Sequence, residues 1–144
     1  MLKDEGLGEA LRWLASQMRG NHHLEVDLRS DDEVRVDDED ARSRLFQTVR
    51  ELLFSVVKHA GVDRATVSLR MEGDSLELEV SDEGAGFNLE EVRSSRSPAT
   101  GLGLFSVRER IRLIGGTVAV DTAPGEGSRV RVTVPLSVSG SGDT

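Results

Sequence analysis

Three stretches of this 144-residue chain combine residue types and spacings that can do chemistry. In SDEGAGF, 81–87, Asp82 ends a segment of alternating apolar and acidic residues and is followed by Gly84 and Gly86. A hairpin turn needs one glycine at most, so the pair leaves room for something to approach the backbone. A carboxylate fixed there can accept a hydrogen bond from an exocyclic amine such as that of adenine. Toward a guanine carbonyl it would set one acceptor against another. The plainer reading is a tight turn that uses Asp and Gly for backbone reasons. In TGLGLFSVRERI, 100–111, Gly101 and Gly103 precede a predicted helix start, where free N–H groups and the positive dipole end suit a phosphate; a linker entering a helix looks the same. Third, Glu51, Ser55 and His59 are spaced i, i+4, i+8 with Lys58 beside them. They share a polar helix face that could meet a metal-bound triphosphate, or simply face water.

The composition limits what else the chain can do. Its length fits one domain with a single core. Eighteen Lys and Arg against 26 Asp and Glu leave a net charge of −8, which repels nucleic-acid backbones and anionic membranes unless a basic patch overrides it. Arg108, Arg110 and Arg112 come closest to one, but they alternate around a predicted helix and are diluted by Glu109. Neither nucleic acid nor membrane is an expected partner. The absence of cysteine excludes disulfides and thiolate metal sites and fits a reducing compartment. No apolar run reaches the length of a membrane span, and the N-terminus lacks a signal-peptide pattern. A soluble, cytoplasmic chain is expected.

The elements that must position these residues follow from periodicity. Leu7, Leu11, Leu14 and Met18 predict a first amphipathic helix ended by Gly20 and Asn21. Leu24, Val26 and Leu28 alternate with charged residues and predict a strand, with a second short strand around Val34 and Val36. The acidic run Asp37 to Asp40 reads as N-terminal helix signals, because carboxylates there accept free backbone N–H groups. A long helix should follow to about Ala60, with an apolar stripe of Leu45, Val49, Leu52, Leu53, Val56, Val57 and Ala60, and Gly61 should stop it. Residues 66–70 and 76–80 read as a hairpin, 88–100 as an irregular polar stretch, and 104–114 as a helix closed by Gly115 and Gly116. A second hairpin turns in APGEGS and ends in Val130, Val132 and Val134. Residues 137–144 predict a disordered tail. Helices alternating with antiparallel strand pairs indicate an α+β two-layer sandwich, a mixed, mostly antiparallel sheet with helices on one face. A Rossmann order is excluded, since the only G-x-G that precedes a helix follows a loop and not a strand.

Taken in order, ELLFSVVKHA, DEGAGF, GLGLFSVRERIRLIGG and DTAPGEGSRVRVTVPL resemble the ATP-binding catalytic domain of bacterial sensor histidine kinases, which has the Bergerat-type fold. The likeness is greatest to the branch paired with LuxR-type regulators. It covers about Leu24 to Leu136, with 1–23 as a leading helix and turn from an upstream connection. The resemblance implies that Asp82 reads the adenine amine, that Gly84 and Gly86 floor the purine pocket, and that Ser128 supports the same edge. It implies that Gly101 and Gly103, with Leu102 between them, hinge an ATP lid at 88–100. Lys58 and His59 would face the phosphates, and Glu51 matches an acid that orients water in ATP-hydrolysing relatives. ATP and Mg²⁺ are the implied cofactors.

Two features depart from that pattern. Such families normally place at position 55 an asparagine whose amide oxygen binds Mg²⁺, whereas this chain has Ser55. A hydroxyl on a shorter side chain is expected to position the metal weakly and to lower transfer activity. The phosphoacceptor histidine of such kinases sits on a dimerising helical hairpin, and His22 and His23 lie in a predicted turn without that pattern. The chain is therefore expected to donate the γ-phosphoryl to a histidine on a separate dimerisation domain, to serve a response regulator indirectly, and to be monomeric and weakly active or inactive alone. Two alternatives stand beside this: a non-catalytic nucleotide switch, favoured by Ser55, and a serine kinase of the anti-sigma type, which shares the fold.

Overall fold

The computed structural model describes residues 6–30, 36, 38–60, 62–84, 104–122 and 125–136. The strand expected at Val34, the stop at Gly61, the polar stretch 88–100, and the tail lie outside the described residues. Among the described residues, five strands form one sheet in the order β1-β2-β3-β5-β4, where β1 is Glu25–Ser30, β2 Arg64–Glu72, β3 Ser75–Asp82, β4 Thr117–Thr122 and β5 Ser128–Pro135. Only β1 and β2 run parallel; the other neighbours are antiparallel. The helices are α1, Gly6–His22, α2, Glu39–Ser55, and α3, Leu104–Arg112. This is the mixed α+β architecture expected from the alternation of helical and strand periodicities.

Strand parity sorts the sheet into two faces. Val67 and Leu69 of β2, Leu76, Leu78 and Val80 of β3, and Val130, Val132 and Val134 of β5 are all buried. They join Leu7, Leu11, Leu14 and Met18 of α1, Leu45, Val49, Leu52 and Leu53 of α2, and Val107 and Ile111 of α3 in one core. The opposite face carries interleaved charge: Arg70 to Glu77 at 2.7 Å, Arg129 to Glu79 at 2.8 Å, and Arg131 reaching both glutamates at 3.7 and 3.8 Å. The hydrogen bond from Arg70 to Glu77 and the carboxylate charge raise the guanidinium pKa above its usual value. Such exposed pairs stabilise little, but they keep this face wet. The parity of β3 and β5 puts Asp82 and Ser128 on the helix-bearing side, in line with Val80 and Val130, at the end of the sheet.

Element ends show where local signals were read correctly and where they were overridden. The β2–β3 hairpin closes with Glu72 paired to Ser75, leaving the two-residue loop Gly73-Asp74. Gly73 supplies the positive φ (63°) that the first position of such a loop requires. α1 runs one residue past the expected stop at Gly20 and Asn21, ending at His22, and His23 after it adopts φ 56°. Val36 is buried but belongs to no strand. Asp38 is the N-cap of α2, yet its carboxylate makes no capping hydrogen bond. The end of α3 is a Schellman turn: Gly116 N–H donates to the Ile111 carbonyl at 2.9 Å and Gly115 N–H to the Arg112 carbonyl at 3.0 Å. A Cβ on Gly116 would lie 2.6 Å from the Thr133 carbonyl oxygen, so this glycine lets the turn sit directly on β5.

The long helix also differs from the sequence reading. After Ser55 it continues as a π-helix, Val56–Ala60. A π turn takes more residues than an α turn, so the four-residue spacing that aligns Glu51 with Ser55 does not carry on to position 59. Its side chain lies outside the described set.

Candidate functional site

β3 delivers Asp82 to the sheet end, and two donors fix its carboxylate. Gly84 N–H donates to Oδ1 at 2.8 Å, and Ser128 Oγ–H donates to Oδ2, also at 2.8 Å. The first bond is a local Asx turn; the second crosses from β3 to β5, where Asp82 and Ser128 are register partners. Each carboxylate oxygen retains a lone pair. The group is thus an oriented acceptor with spare capacity, held at the half-buried rim of the sheet. Of the two glycines expected beside it, Gly84 takes part through its N–H, and Gly86 lies outside the described residues.

Gly127 is the residue that the sequence reading passed over as part of a turn. Its φ is 76°, and a Cβ there would stand 2.4 Å from the Asp82 carbonyl oxygen and 2.9 Å from Glu83 Cα. The backbone at 127 therefore lies against the backbone at 82, bringing the first residue of β5 within reach of the carboxylate. Thr122 Oγ1–H donates to the Gly127 carbonyl at 3.0 Å and holds the same loop from β4. The two glycines of GEG were the available signal; only the packing separates their roles, since Gly125 (φ 78°) has open space around it.

A polar depression of about 560 Å³ opens beside Asp82, lined also by Glu83, Asp121, Glu126 and Arg129. Strand parity turns Asp121 and Arg129 toward the face opposite the described helices, so much of this depression is the back of the sheet end and not a slot between helices and sheet. Four carboxylates around one guanidinium disfavour a phosphate there.

Glu51 and Ser55 of α2 are half-buried, and Lys58 of the π-helical turn after it is exposed. Glu51 does not simply face water: Arg110 of α3 donates from Nη1 to its Oε1 at 3.0 Å. The arginine trio is therefore divided, with Arg110 turned to α2 and Arg108 donating to the Val118 carbonyl at 2.9 Å. His22, expected in a turn, is instead the last residue of α1; it is exposed and meets Phe54 edge to face at 5.1 Å. Gly101, Leu102 and Gly103 lie outside the described residues. Among the described residues, no group of three or more His, Cys, Asp or Glu side chains could hold a metal ion. The donors near position 55 are hard oxygens, a hydroxyl and an already paired carboxylate. They fit Mg²⁺ only as an ion whose shell is completed by phosphates and water.

A model of the family described as histidine kinase-, DNA gyrase B-, and HSP90-like ATPase matches residues 40–138. The chain belongs to this family. The oxygen sensor histidine kinase NreB of Staphylococcus carnosus is 34% identical over 136 residues, which cover 94% of this chain and 38% of NreB. The histidine kinase domain of the blue-light activated histidine kinase of Erythrobacter litoralis EL346 superposes with a TM-score of 0.69 at 30% identity, covering 92% of this chain and 62% of that one. The catalytic domain of histidine kinase ThkA has the same fold, with a TM-score of 0.71 at 20% identity over 90% of this chain and 89% of that one. The class is thus an ATP-binding catalytic domain of the sensor histidine kinase type, and the chain spans little more than a third of the length of NreB.

Proposed function

We propose that the chain binds Mg-ATP with its base against Asp82 and its phosphates toward α2, and passes the γ-phosphoryl to a histidine on a separate phosphoacceptor and dimerisation domain. The observation that carries this reading is the carboxylate of Asp82, oriented by Gly84 and Ser128 and still able to accept the adenine amine. The acidic surroundings of Asp82 support a base-first orientation, because a triphosphate is repelled from them. Ser55, Lys58 and His59, with Gly101, Leu102 and Gly103, form the proposed phosphate side; residues 88–100 are the proposed lid. Mg²⁺ would supply charge neutralisation on the phosphates. A response regulator is then an indirect partner, reached through the phosphohistidine.

Calorimetric titration with adenosine and ATP tests this. Asp82→Ala removes a charge-assisted hydrogen bond of about 1.5–3 kcal/mol, so adenosine affinity should fall at least tenfold. Unchanged adenosine binding by that variant would refute the assignment.

A non-catalytic nucleotide switch is the second reading, favoured by Ser55 and by the ion pair that occupies Glu51. Phosphoryl transfer to a supplied acceptor domain that stays absent in both the parent chain and a Ser55→Asn variant would point to it.

A further inference from the structure

Arg110 and Glu51 are 59 residues apart in sequence, and their ion pair ties α3 to α2. The arginine is anchored twice. Its Nη1 lies 3.0 Å from Glu51 Oε1 and 3.5 Å from Thr48 Oγ1, one turn earlier on α2. Thr48 is fully buried, and its hydroxyl already donates to the Arg44 carbonyl at 2.8 Å. With its proton committed, that oxygen can only accept, and a guanidinium from α3 is the donor it meets. The Arg110 side chain is 18% exposed and that of Glu51 32%, so the pair is shielded more than a surface bridge is.

The position of the pair matters because Glu51 lies one turn before Ser55. An unpaired carboxylate there would confront a triphosphate with a like charge in a partly desolvated setting, where repulsion is felt strongly. We infer that Arg110 is a positioning residue of the nucleotide site, one that masks the Glu51 carboxylate so that a triphosphate can lie along α2. The Glu51 carboxylate, held by Arg110, is then not free to accept a proton from water. The inference rests on the proposed placement of the phosphates beside α2.

The test compares adenosine, which has no phosphate, with ATP on the intact 144-residue chain. Arg110→Gln exposes the Glu51 charge: ATP affinity should fall about tenfold while adenosine affinity stays within twofold. Adding Glu51→Gln removes the exposed charge and should restore ATP affinity to within threefold of the parent. A purely structural role for Arg110 would leave the double variant as weak as the single one, and that result, or an unchanged ATP-to-adenosine ratio in Arg110→Gln, overturns the inference. If Arg110→Gln does not fold, Glu51→Gln alone decides: the freed guanidinium should hold or tighten ATP binding relative to adenosine, and a loss selective for ATP overturns the masking role. A parent chain that binds neither ligand refutes the nucleotide assignment itself, and this inference with it; a parent that binds both confines any failure to Arg110.

Discussion

The backbone contact at Gly127 yields a quantitative prediction about how the site is assembled. Replacing this glycine by alanine puts a Cβ 2.4 Å from the Asp82 carbonyl oxygen, where 3.0 Å is the floor for real contacts. The loop must retreat by more than about half an ångström, because close-packed backbone cannot yield in place. The retreat acts on the residue next to Ser128, whose hydroxyl reaches Asp82 at 2.8 Å. A hydrogen bond to a charged group is worth about 1.5–3 kcal/mol, and an alanine held at positive φ costs a further ~1–2 kcal/mol. Together these predict a loss of about 3 kcal/mol in stability, or roughly 10 °C in Tm for a domain of this size. Adenosine affinity should fall roughly tenfold, the consequence of losing about 1.4 kcal/mol of the carboxylate's orientation. Gly125→Ala provides the control: its φ of 78° imposes the same backbone strain, but no atom lies within 4 Å of the added Cβ. It should lose only about 1–2 kcal/mol and bind adenosine as the parent does. Differential scanning fluorimetry and calorimetric titration of the two variants decide the matter. If Gly127→Ala matches Gly125→Ala in both, the contact between positions 127 and 82 does not build the site.

Two further outcomes follow from other contacts. Gly116→Ala should destabilise the chain by about 1–3 kcal/mol, as overpacking against Thr133, Ile111 and Val134 does in a tight core, while the ratio of ATP to adenosine affinity stays unchanged; denaturant melts and the same titrations check this. Ser55→Asn supplies a longer oxygen ligand at the end of α2 and should increase the Mg²⁺ enhancement of ATP affinity by about three- to tenfold, measured as the ratio of Kd values with and without the ion; equal enhancement in both proteins would count against a metal role at position 55.

Much of this molecule was legible one residue at a time. The alternation of Leu76, Leu78 and Val80 with acids marked a strand buried on one face, since side chains on a strand point alternately to its two sides. The strand's register then carried Asp82 to the helix-bearing side. Leu7, Leu11, Leu14 and Met18 marked a helix for the same kind of reason, and Gly115 with Gly116 marked where α3 had to stop. These are local rules, applied by each peptide to its neighbours. Signals that compete locally were less decisive: α1 ran past Gly20 and Asn21 because Leu24, buried beyond them, fixes where the chain must turn. The switch to π winding after Ser55 has no signature in the α-helical stripe that continues through Val56 and Val57.

Sequence alone determined most of the strands and helices, the order of the motifs, and the delivery of Asp82 to the end of its strand, because periodicity and turn chemistry are properties of short segments. Tertiary structure decided what those segments touch: that Ser128 orients Asp82 across 46 residues, that Gly127 must have no side chain because another backbone lies against it, and that Arg110 reaches Glu51. These contacts join residues remote along the chain, and their strength depends on distances of a few tenths of an ångström that no spacing in the sequence encodes.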